Sequence, residues 1–141
     1  MLLRLEIDGF KNLIGFEAEF GPLTCIAGEN GIGKSNVFDA VQFLALTADQ
    51  PLLEAARQGR SNRADSAGEP AHLFTAGSND RPMRFAAEVL VPAEVVDDFD
   101  VPISPAITFL RYELDVGYEK PASGSRHGRL VVEREQLRHI N

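Results

Sequence analysis

The stretch that most constrains this chain is "GENGIGKSN", residues 28–36. It lies between the apolar run "LTCIA" (23–27) and the apolar-rich segment "KSNVFDAVQFLAL" (34–46). Its spacing fits G-x-x-x-x-G-K-[ST], with Gly28, Gly33, Lys34 and Ser35 at the required positions. Glycines let the backbone curl until successive N–H groups converge on one anion-binding concavity. A helix starting near Lys34 adds the positive end of its dipole at the same spot. Lys34 can then bridge β- and γ-phosphates, and the Ser35 hydroxyl can ligate Mg²⁺. Gly31 falls where a side chain would crowd the phosphates.

The flanks supply the context such a loop needs. Residues 2–8 alternate, Leu3, Leu5 and Ile7 against Arg4, Glu6 and Asp8, which predicts a half-buried strand. A turn over Gly9–Gly15 leads to a second alternating run, Phe16, Ala18 and Phe20 against Glu17 and Glu19, broken by Gly21-Pro22. Residues 23–27 lack alternation and predict a strand covered on both faces, with Cys25 a buried, inert thiol. The segment after the loop carries apolar residues around most of a helix, which predicts deep burial.

Residues 47–82 are rich in Ala, Arg, Ser, Gly, Asp and Pro and predict a long mobile insertion holding a short helix near 51–58. Strand patterns return at 83–91 and 106–118, and "RLVVERE" is placed to pair back as a hairpin across a turn-rich loop. The plan is an α/β or α+β lobe. Its helices are too few for a doubly wound Rossmann sheet.

The 141 residues are the size of one domain, and a net charge of −7 speaks against nucleic-acid binding through overall electrostatics. Three local basic clusters survive that average, at 57–63, 81–84 and 126–129; each could touch a phosphate backbone, and each reads more readily as a solvated loop or strand end. A single cysteine excludes an internal disulfide framework and fits a reducing, cytoplasmic setting. No apolar run approaches the roughly 20 residues of a membrane span, and the charges at Arg4, Glu6 and Asp8 interrupt any signal-peptide pattern.

"LEIDGFKNL" and "GENGIGKSNVFDAVQFL" together resemble the N-terminal half of the ATP-binding-cassette heads of the SMC, RecF and OLD families. Phe10, Lys11 and Asn12 match the family's aromatic-basic-polar turn. Gly28, Asn30, Gly31, Gly33, Lys34, Ser35 and Asn36 match its loop, and Asp39-Ala40 an acidic-Ala pair in its helix. The resemblance covers residues 1–46 and is loose beyond them. It implies a P-loop NTPase fold, a partial ABC-type head with an antiparallel β-subdomain. It implies ATP and Mg²⁺ as ligands, with Lys34 the catalytic cation, Ser35 the metal ligand, and Lys11 and Asn12 beside the nucleotide. It also implies a homodimer of heads formed through ATP, and DNA as an indirect partner in repair or defence.

Those families complete their site with a Walker B strand ending in Asp-Glu, a signature loop and a switch histidine. "EVVDDFD" (94–100) has only two apolar residues before its acids and prolines on both sides, so it reads as a solvated turn. "PASGSRHG" lacks the leading leucine of a signature loop, and His72, His127 and His139 follow no apolar strand. Gln42, Gln50, Gln58 and Gln136 lack the context of a Mg²⁺-sensing glutamine. The expectation is an N-terminal ATP-binding lobe whose C-terminal half is elsewhere, with little or no hydrolysis of its own. Two alternatives remain: a non-catalytic nucleotide-binding assembly module, and a small P-loop kinase, for which 57–63 is a weak lid. A GTPase would need N-K-x-D after the loop, and the only later lysine, Lys120, stands between Glu119 and Pro121.

Overall fold

The structure, a computed structural model, describes residues 1–58, 70–97, 99–121 and 128–140. Five strands form one antiparallel sheet: β1 (Leu2–Asp8), β2 (Phe16–Glu19), β3 (Met83–Leu90), and the two further strands Phe109–Glu119 and Arg129–His139. A short separate hairpin pairs β4 (Val95–Val96) with β5 (Pro102–Ile103), so the last two strands of the sheet are β6 and β7. The order across the sheet is β2-β1-β3-β6-β7. Helix α1 (Lys34–Thr47) follows the glycine loop, and α2 (Leu52–Gln58) follows α1. This is an α+β lobe built on an antiparallel sheet, as its strand patterns predict.

Alternation decides which face of the sheet is wet. Leu5 and Ile7 of β1, Phe85 and Ala87 of β3, and Leu114 and Val116 of β6 all point to one buried side. Phe43 of α1 meets this side between Phe10 and Phe85, with ring centroids 6.0 and 5.5 Å away. Burying a large side chain of this kind is worth about 1.5–3 kcal/mol. The three rings therefore anchor the helix to the sheet. The opposite face carries charge, and Arg111 reaches Glu6, Glu88 and Glu113 across three strands.

Within residues 47–82, the described parts on both sides of 59–69 pack into the core. Ala55 and Ala56 of α2, Leu73 at the end of a single 3-10 turn (Pro70–Leu73), and Phe74 just after it belong to the core. Residues 59–69, including most of the basic cluster 57–63, lie outside the described residues, as do 122–127 of the loop between β6 and β7. Among the described residues no helix is long and apolar enough to cross a membrane.

Two expectations need correction. Residues 23–27 form no strand: Leu23 is 93% exposed and Cys25 is exposed, so the buried, inert thiol is also overturned. A strand persists only where neighbours take its N–H and C=O groups. The sheet ends at β2 on this side, and no described strand lies beside 23–27. Helix α1 is buried on one side rather than all round. Val37, Asp39, Ala40 and Phe43 are covered, whereas Phe38 is 62% exposed, because the described chain offers only one surface to pack against.

Candidate phosphate-binding site

The loop owes its path to two glycines. Gly31 and Gly33 adopt φ of 86° and 109°, a left-handed conformation in which an L side chain is strained. Gly33 is also the N-cap of α1, and its carbonyl accepts from the Asn36 and Val37 amides at 2.9 and 3.3 Å. The preceding amides, Lys34 and Ser35, have no carbonyl one turn back within the helix. They open toward a cavity of about 290 Å³ lined by Asn30, Gly31, Gly33, Lys34, Ser35 and Asn36. The positive end of α1 thus faces the same space.

The Lys34 ammonium folds back over the loop and donates to the carbonyls of Gly28 at 2.5 Å and Glu29 at 2.7 Å. This closes the loop on itself. It also keeps a cation within the curl of amides. The donor set is backbone amides, one lysine and one hydroxyl, which suits a phosphate chain. Mg²⁺ usually takes only one or two protein oxygens and fills its shell with phosphate and water. Ser35, exposed on the cavity wall, fits that requirement.

The turn 10–13 docks against the loop. Its backbone is held by the Gly9 amide donating to the Leu13 carbonyl and the Lys11 amide donating to the Leu73 carbonyl. Asn12 donates to the Ile32 carbonyl at 3.3 Å and accepts from the Asn36 side chain at 2.7 Å. Its neighbour Lys11 turns inward, 2.5 Å from the Asp39 carboxylate of α1 and 5.4 Å from the centre of the Phe10 ring. The structure therefore brings together every residue singled out in the loop and sets Asn12 on it. It gives Lys11 a protein partner one helical turn beyond Ser35.

Sequence reasoning noted Asp39 only as half of a family pair and missed its pairing with Lys11. Its signal was an acid among Val37, Ala40 and Phe43, on the side of the helix that faces the core. The Arg111 cluster had no sequence signal, because Glu6 and Arg111 are far apart in the chain. A wider hollow of about 530 Å³ lies over that charged face, beside Arg84, Arg111 and Glu113. It is a separate hollow, and its lining shares no residue with the cavity at 30–36.

A family model described as an AAA domain matches residues 4–85. The DNA replication and repair protein RecF of Phocaeicola vulgatus is 46% identical over 46 residues, a match covering 32% of this chain and 12% of that protein. Structural maintenance of chromosomes protein 1 of Schizosaccharomyces pombe is 47% identical over 45 residues, covering 30% of this chain and 4% of that protein. The chain thus spans only a small part of these relatives, and its resemblance to RecF and SMC proteins is borne out over a segment of that length. A solved structure from work on ATP-driven dimerization and DNA stimulated activation of SMC ATPases covers 96% of this chain and 71% of its own, at 22% identity and a TM-score of 0.48.

Proposed function

The chain belongs to the AAA domain family, and on that premise we propose that it is the ATP-binding lobe of a DNA-associated ABC-type ATPase of the SMC and RecF kind. The observation that carries this reading is the cavity at 30–36, where the start of α1, two left-handed glycines, Lys34 and Ser35 converge. Residues Gly28 to Asn36 wrap the phosphates, Ser35 supplies the protein oxygen for Mg²⁺, and Asn12 braces the loop from outside.

Lys34 is the residue placed to neutralise developing charge on the γ-phosphate. Binding requires its ammonium to leave the Gly28 and Glu29 carbonyls for phosphate oxygens, an exchange of neutral acceptors for charged ones that favours the bound state. Hydrolysis needs an acidic base and a second clamp on the γ-phosphate. Neither is recognisable in these residues, so the lobe works with a complementary half and pairs with a second head through the nucleotide. DNA contact and a cytoplasmic setting belong to the same proposal.

The test is calorimetry of Mg²⁺-ATP with this chain and with Lys34→Ala. Binding that disappears in the variant supports the reading. Absence of binding by the unmodified chain opposes it and favours an assembly module. Robust turnover by the chain alone would sink the dependence on a second half.

A further inference from the structure

We infer that Asp39 is a positioning residue for the phosphate loop, acting through Lys11 and Asn12. This inference rests on the nucleotide-binding reading of the loop, but its first readout needs no nucleotide. Asp39 is the one buried charged residue among those described, at 7% exposure. A carboxylate there is retained only with a partner, because an unpaired buried charge is costly. Lys11 is one such partner at 2.5 Å, and it comes from a turn 28 positions earlier in the chain.

The pairing fixes more than a charge. Lys11 holds φ of 52°, an uncommon conformation for a residue with a side chain, and its ammonium sits 5.4 Å from the Phe10 ring centre. Such a conformation persists when its surroundings over-determine it. The next residue is Asn12, whose side chain bonds to Ile32 and Asn36 on either side of Gly33. A chain of contacts therefore runs from the helix interior at Asp39, through Lys11 and Asn12, to the glycine that caps α1. Asp39 decides where Asn12 stands, and Asn12 decides how freely the loop opens.

The measurement is amide hydrogen exchange over residues 28–36 in the absence of nucleotide, for the unmodified chain, Asp39→Asn, Lys11→Met, their double variant and Asn12→Ala. Loop exchange should rise by about tenfold in Asp39→Asn and in Asn12→Ala, the scale on which contacting residues couple. Lys11→Met should match Asp39→Asn, and the double variant should add nothing further. Mg²⁺-ATP affinity should fall in each of these variants while the melting temperature of Asn12→Ala stays unchanged. Unchanged loop exchange in a folded Asp39→Asn overturns the inference. Should Asp39→Asn fail to fold, unchanged exchange in Asn12→Ala overturns it instead. A loss of affinity far larger in Lys11→Met than in Asp39→Asn also overturns it, because Lys11 would then act on phosphate directly. If the unmodified chain binds no Mg²⁺-ATP, the nucleotide reading fails, and loop exchange alone decides the role of Asp39.

Discussion

The Asn12 side chain occupies the place a Cβ would take at Gly33: its amide oxygen and nitrogen lie 2.6 and 2.7 Å from that position. Gly33 is thus required twice, once for its φ of 109° and once for the absence of a side chain. Gly31, at φ of 86°, has nothing within 4 Å of the same point. Gly31→Ala should carry only the left-handed penalty of about 1–2 kcal/mol, and Gly33→Ala should cost more and displace Asn12. Thermal melts of the two variants check the order, and equal losses would contradict it.

A second prediction concerns the charged face. Arg111 donates to Glu6 at 2.7 Å, Glu113 at 2.8 Å and Glu88 at 2.9 Å. Its hydrogen bonds are the chief cause holding the Glu6 and Glu113 carboxyls below their ordinary value of 4.5. A depressed carboxyl stabilises the fold above its unfolded pKa and loses that contribution as pH falls through the folded one. Arg111→Met should therefore destabilise by about 1.5–3 kcal/mol at neutral pH. The difference from the unmodified chain should shrink as pH drops below 4.5. Denaturant melts across pH 3 to 7 measure it, and a pH-independent difference would count against the ion-pair account.

The Tyr112 hydroxyl donates to Glu135 at 2.8 Å, and burial, followed by this bond, pushes its pKa up to about 12. The neutral phenol is favoured in the fold. Its contribution is present below the ordinary value of 10.0 and is lost as pH rises toward 12. Ultraviolet titration should show one tyrosine ionising only at the upper end of that range, and Tyr112→Phe should remove it.

Exposure of Cys25 makes a fourth claim testable with a thiol reagent. The native chain should react fully, at a rate close to that of the unfolded chain. A thiol that needs denaturant before it reacts would restore the buried strand expected at 23–27.

Much of this protein follows from short-range chemistry. The glycine spacing, the helix after it, the turn at 9–15 and the strand periods of β1, β2, β3, β6 and β7 were legible because each depends on residues a few positions apart. Their ends moved by a residue or a few, as at β6, which begins at Phe109 rather than at 106.

The rest depended on what each segment meets. "LTCIA" is apolar enough for a central strand, yet strand formation needs neighbours, and tertiary pairing supplies none beyond β2. Lys11 reads as a free cation beside the loop until α1 folds across it and presents Asp39. Arg111 reads as one polar residue in an alternating strand until registry places Glu6 and Glu88 on the same face. The sequence by itself determined a curled loop capping a helix, because glycine conformation and helix capping are local. Only the tertiary structure decided which charges pair and which apolar residues stay exposed, because both depend on surfaces that residues distant in the chain bring together.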